Sequence, residues 1–162
     1  NMAACGGLVA AMILASLLYG KVDLTLALNG ALAGLVSITA GPDVATPLQA
    51  ILIGAIGGIL CTLAIPLLDK LKIDDVVGAI SVHLVAGIWG TLVVGIPGLN
   101  GSGDFMTQLI GVVVIGVFVT VVSAIVWLVL KAVTGLRPSE EEEMTGLDVS
   151  ELGMEAYPEF RN

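Results

Sequence analysis

The sequence predicts an all-α integral membrane protein with five transmembrane helices. Hydrophobic residues make up 57% of the 162 and charged residues only 12%, where a soluble domain holds about a quarter charged. Mean hydropathy is +1.05, and the apolar residues gather in runs of roughly 17 or more, the length a bilayer-crossing helix needs. The 21 glycines suit close-packed membrane helices, whereas a transmembrane β-barrel would show alternating segments of about ten residues.

The expected spans cover residues 3–19, 24–40, 47–68, 77–97 and 108–134, and together they form a membrane region of residues 1–135. The first ends at Gly20 and Lys21. The second carries the amide Asn29, read as a mid-membrane interhelical hydrogen bond, and the pair Gly30 and Gly34, whose spacing suits close helix packing. The third holds Gly54, Gly57 and Gly58. A charged loop, residues 69–75, leads into the fourth, and the fifth is near 40 Å long at 1.5 Å per residue, so it tilts or projects from the bilayer. Ser37, Thr39 and Thr46 are expected to return their hydroxyls to carbonyls one turn back. Cys5 and Cys61 fall in apolar runs and are read as small core residues. No basic region precedes the first apolar run, so it is not read as a cleavable signal peptide. The opening Asn1 suggests a segment of a longer chain.

Basic residues set the expected orientation. Lys21, Lys70, Lys72, Lys131 and Arg137 all fall on one side of the five-span arrangement, while the loops around Asp43 and Asp104 hold no Lys or Arg. The positive-inside rule then puts the N-terminus of the segment outside and the C-terminus in the cytoplasm. Residues 136–162 form an acidic tail with eight of the fourteen carboxylates. A charge run of this kind is commonly a solvated tail, but Met144, Leu147, Leu152, Met154, Tyr157 and Phe160 also suit a short helix docked on a cytoplasmic surface.

The chain's single histidine, His83, sits inside the fourth apolar run. A polar ring in hydrocarbon costs several kcal/mol unless it finds partners, so it marks a substrate or proton path by default. On a regular α-helix Ala79, Ala86, Gly87 and Gly90 share its face, which would bury the ring among small residues. Asp74 and Asp75 stand where one of them can cap the helix that follows. Trp89, six residues beyond His83, is read as a packing residue. No carboxylate lies inside any span to complete a Ser/His/Asp triad, one His and two distant Cys fall short of a metal site, and no glycine-rich phosphate loop is present. We expect neither an enzyme nor a cofactor, metal or nucleic-acid partner. A neutral imidazole offers one donor and one acceptor, and desolvation favours that neutral form, so the site suits an uncharged or proton-shedding permeant.

The run Lys72-Ile-Asp-Asp75-Val-Val-Gly-Ala-Ile-Ser-Val-His83-Leu-Val-Ala-Gly-Ile-Trp-Gly90 resembles the signature of ammonium transporters of the Amt/Rh group. There a similar run reads Ile-Asp-Asp-Pro-Val-Gly-Ala-x-x-Val-His-Gly-x-x-Gly-x-x-Gly. Residues 26–41 and the tail, with Leu136, Arg137, Glu140 to Glu143, Gly146, Leu147, Asp148, Ala156 and Tyr157, are similar to other parts of that family. The resemblance implies the last five of eleven spans, a homotrimer with one pore per subunit, and His83 as the second member of a twin-histidine pair. Ammonium would be deprotonated outside and cross as ammonia, the imidazoles relaying the proton. The tail, with Gly146 and Asp148 at its turn, would couple subunits and meet a PII-type regulatory protein. Two positions depart from the pattern. Val76 replaces the usual Pro, leaving the start of span four less fixed, and Leu84 replaces the Gly after the histidine, adding bulk beside the relay. The alternatives are an ammonium sensor signalling through the tail and a Rh-like gas channel.

Overall fold

The computed structural model describes residues 1–43, 45–99, 103–155 and 157–160. Ala156, part of the tail resemblance, lies outside them. Among the described residues all regular structure is helical. The chain divides into two compact units, residues 1–116 and 117–162.

In the first unit, α1 (Met2–Tyr19) stops at Gly20, whose φ of 72° is the left-handed turn that glycine adopts without strain. Asp23 then caps α2 (Leu24–Ile38), its carboxylate accepting from the Leu26 N–H at 2.8 Å. α3 (Pro47–Lys70) opens on a capping box. The Thr46 hydroxyl accepts from the Gln49 N–H, and the Gln49 side chain accepts from the Thr46 N–H. Thr46 therefore caps α3 rather than returning to a carbonyl behind it. Ser37 and Thr39 do return theirs, donating to the carbonyls of Ala33 and Leu35 at 2.7 Å each. After a turn whose Gly78 has a φ of 76°, a π-helical stretch, Ile80–Val85, runs directly into α4 (Ala86–Val93). α5 (Phe105–Val133) begins in this unit, with Asp104 at its start accepting from the Thr107 N–H and hydroxyl.

Three helices, α1, α3 and α5, are long and apolar enough to cross a membrane, while α2 and Ile80–Val93 are shorter. This corrects the expectation for the fourth apolar run, read as one helix over residues 77–97. The run is helical for only 14 residues, Ile80–Val93, because the Gly78 turn delays its start. Turns and bends over residues 94–98 end it early.

Glycines draw α1, α2 and α3 together backbone to backbone. A Cβ on Gly7 would collide with the Gly30 carbonyl of α2 and come within 3.0 Å of the Gly34 Cα, and one on Gly58 of α3 would strike the Gly7 backbone. The Gly30/Gly34 spacing thus receives α1. Next to this contact, Ala33 of α2, Cys61 of α3, Val82 and Ala86 form a small buried core flanked by Val36 and Ile65. Cys5, on the other hand, is exposed on α1. It belongs to the outer side of the helix, since the inward positions are taken by Ala3, Gly6 and Gly7.

The ends of these elements sort into two sets. Tyr19, Lys21, Asn29, Pro66, Asp75 and Gly78 line one cavity of about 330 Å³, which gathers the α1–α2 turn, the end of α3 and the start of the fourth run. Elsewhere Gln49, at the start of α3, donates through Nε2 to the Gly98 carbonyl at 2.9 Å, joining the loop after α4.

The second unit holds the rest of α5 and the tail. Ser139 and Glu142 form a capping box at the start of α6 (Glu140–Thr145), where the Ser139 N–H and hydroxyl hold the Glu142 carboxyl below its ordinary range. Arg137 and Glu143 make an exposed ion pair at 3.1 Å. Gly146, with a φ of 99°, turns the chain into α7 (Leu147–Leu152), and Pro158–Phe160 forms a short 3-10 turn. Met144, Leu152, Met154 and Tyr157 are exposed.

Candidate functional site

The fourth apolar run is held against α2 and α3 by small residues. Ser81, Val82, Ala86, Gly90 and Val93 are buried. A Cβ on Gly90 would fall 2.6 Å from the Ser37 carbonyl oxygen, and Gly87, half-buried, faces only the Val36 Cγ1 at 3.7 Å. Trp89 fastens the second half of the run, its indole Nε1–H donating to the Ile53 carbonyl of α3 at 3.0 Å. A Trp89→Phe substitution keeps an aromatic ring, though a smaller one, and deletes that bond. It is expected to cost about 1 kcal/mol, read as a lowered melting temperature in detergent.

His83 is exposed, with Leu84 exposed beside it. Ala79 is also exposed, while Ala86 and Gly90 turn inward, so the four small residues do not share one face with His83. The π-helical turn is the reason, because it takes more residues per turn than the α-helix assumed in placing them. The imidazole stands at the edge of the packed face, on the side that α2 and α3 leave open.

Of the paired aspartates, Asp75 makes the capping contacts. Its Oδ1 accepts from the Ile80 N–H at 3.0 Å, and its Oδ2 accepts from the Ser81 N–H and hydroxyl at 3.1 Å each. Its own carbonyl accepts from the Gly78 N–H at 3.0 Å, which ties down the turn in which Val76 lies. Asp74 is exposed. Burial pushes the Asp75 carboxyl up, but the hydrogen bonds from Ile80, Ser81 and Ala79 outweigh it and hold the carboxyl below its ordinary range. A carboxyl lowered on folding stabilises the fold above the ordinary carboxylate range and loses that contribution as pH falls through its lowered value. Melting curves of the native chain and Asp75→Asn are therefore expected to lie apart at neutral pH, by about 1 kcal/mol for a lost helix cap, and to converge in acid.

Asn29 lies in the second turn of α2, near the cavity end of the helix rather than mid-span. It is 6% exposed, and its amide lies against Gly78. Among the described residues its side chain makes no hydrogen bond, so the expected interhelical bond is not formed. No group of three or more His, Cys, Asp or Glu able to hold a metal occurs among them either. Ser81 is the residue that sequence reasoning passed over. A serine two positions before a histidine carries no signal of its own until the Asp75 carboxylate is seen to reach it.

The sequence model of the Ammonium Transporter Family matches residues 1–157. The chain belongs to the ammonium transporter family. It is 39% identical to ammonium transporter Amt2 of Archaeoglobus fulgidus, over 99% of this chain and 38% of that protein. It is 41% identical to ammonium transporter Amt1 of Haloferax mediterranei, over 95% of this chain and 30% of that protein. Among solved structures, the Sensor Amt Protein superposes with a TM-score of 0.85 at 36% identity, covering 93% of this chain and 40% of that one. The segment thus spans two fifths or less of each of these proteins, and it is a multi-pass, helical membrane protein.

Proposed function

We propose that this chain is the C-terminal part of an ammonium transporter, supplying five of eleven spans and one histidine of a mid-pore pair. The observation that carries the reading is His83 itself. The only imidazole of the chain stands on an apolar helix, exposed at the edge of its packed face, where a facing half of the pore would meet it. Ammonia accepts a hydrogen bond from neutral imidazole or donates one to it, and a bare cation is disfavoured in such a lumen. The imidazole passes on the proton that ammonium sheds. Ala86 and Gly90 let the helix approach α2 closely, and Leu84 narrows the lumen beside the ring.

The sorting of helix ends supports an outside N-terminus for the segment. Lys21 lines the same cavity as Asp69 and Asp75, so the α1–α2 turn and the loop that carries Lys70 and Lys72 share one end of the first unit, and the positive-inside rule would make that end cytoplasmic. The tail then lies in the cytoplasm, where its turn at Gly146 and Asp148 meets neighbouring subunits of a homotrimer and a PII-type regulator. The test is uptake of labelled methylammonium by the full-length transporter carrying His83→Ala. Uptake unchanged by the substitution sinks the relay.

One observation favours a second reading. The Sensor Amt Protein superposes closely on this chain, and the apolar residues Met144, Leu152 and Met154 of the acidic tail are exposed. A sensor would signal through that tail with little net flux. Cells in which deletion of residues 136–162 abolishes the response to ammonium while uptake persists would support it.

A further inference from the structure

The π-helical stretch Ile80–Val85 is six residues long, contains His83, and gives way to ordinary α-helix at Ala86. Such stretches are rare, and many sit at functional sites. This one begins where the Asp75 carboxylate takes three hydrogen bonds, from the Ile80 N–H, the Ser81 N–H and the Ser81 hydroxyl. The hydroxyl is the informative donor. Ser37, Thr39, Thr62 and Thr91 each return their hydroxyls to a carbonyl four residues back in the same helix. Ser81, at 0% exposure, instead reaches back six residues to a side chain outside the helix. With both Ser81 donors on one carboxylate oxygen, residue 81 cannot rotate about the helix axis without breaking two bonds. Two residues later the chain presents His83.

We propose that Ser81 and Asp75 are positioning residues for His83: the bond from the Ser81 hydroxyl to the Asp75 carboxylate sets the register of the π-helical turn, and with it the direction in which the imidazole points. Val82 is locked into the core beside Ala33 and Cys61, so a slip back to α-helical register would have to be absorbed at His83 and Leu84, which are free of that core. The bond therefore keeps the ring at the edge of the packed face rather than against it.

This proposal rests on the relay reading, and the experiment separates the two. In the full-length transporter, Ser81→Ala removes the hydroxyl while both backbone donors remain. The variant is expected to assemble in normal amounts and to lose about five- to tenfold in methylammonium uptake, the effect of one buried hydrogen bond, with a displaced pH profile of uptake. In a His83→Ala background, adding Ser81→Ala should cause no further loss. A solved structure of Ser81→Ala should show the turn closer to α-helix and the His83 ring rotated. An unchanged turn and ring overturn the positioning role whatever the uptake, and so does equal loss from Ser81→Ala with and without His83. Unchanged uptake in His83→Ala overturns the relay alone. Should Ser81→Ala fail to assemble, Asp75→Asn preserves the volume and turns one acceptor into a donor, and the same comparisons decide.

Discussion

Methylammonium uptake by the full-length transporter is expected to fall by at least an order of magnitude when His83 becomes Ala. The magnitude follows from what the ring supplies. Passing a proton through apolar surroundings without a titratable group would expose a bare charge to low dielectric, where solvation costs many kcal/mol, and tenfold in rate is only about 1.4 kcal/mol of barrier. Asp75 is engaged by backbone and Ser81 donors, and Cys61 is buried in the core among Ala33, Val82 and Ala86, so neither replaces the imidazole. His83→Gln keeps a donor and an acceptor but cannot carry the proton. It is expected to retain substrate contacts and lose the proton-coupled component, which electrical recording alongside labelled uptake separates. Equal currents and equal uptake in all three proteins would place the conducted proton elsewhere.

Much of the frame was legible from apolar runs and punctuation. α1, α2 and α3 start and stop within about two residues of the hydrophobic runs, because Asp23, Thr46 and Pro47 cap or open helices through local chemistry that sequence displays. The Gly30/Gly34 spacing foretold a close neighbour, although not that the neighbour would be α1. The fourth run was the hardest to read. Its hydrophobicity over residues 77–97 hides the Gly78 turn and the early end after Val93, since both depend on backbone conformation rather than polarity. The faces of the small residues around His83 were hard to read for a related reason: α-helical spacing was applied to a stretch that runs as a wider, π-helical turn. The Asp75 clamp depends on a carboxylate meeting a hydroxyl six residues away, a pairing with no recurrent sequence pattern. Cys5 fell outside the core because apolar runs say how buried a membrane helix is by lipid and little about which side faces protein.

The largest effect on assembly is expected from Gly7→Leu. Position 7 is where three backbones meet: an added Cβ strikes the Gly30 carbonyl and comes within 3.0 Å of the Gly34 Cα, and Gly58 of α3 already abuts the Gly7 backbone from another side. A clash with a flexible side chain relaxes by a change of rotamer. A clash with main chain on two helices relaxes only by moving a helix, and that would open the contacts that Ala3, Gly34 and Gly54 make along the same seam. Overpacking that rearranges side chains alone costs about 1–3 kcal/mol, so the backbone case is expected to exceed that and to leave little assembled transporter. Gly87→Ala is the contrast. There the new Cβ meets only the Val36 Cγ1 at 3.7 Å, an ordinary contact, and exchanging Gly for Ala within a helix favours it by up to about 1 kcal/mol. Size-exclusion profiles and melting curves in detergent should therefore show Gly87→Ala assembled as well as the native protein and Gly7→Leu aggregated or absent. If Gly7→Leu also melts like the native protein, the close approach of α1, α2 and α3 at Gly7 does not hold the bundle together.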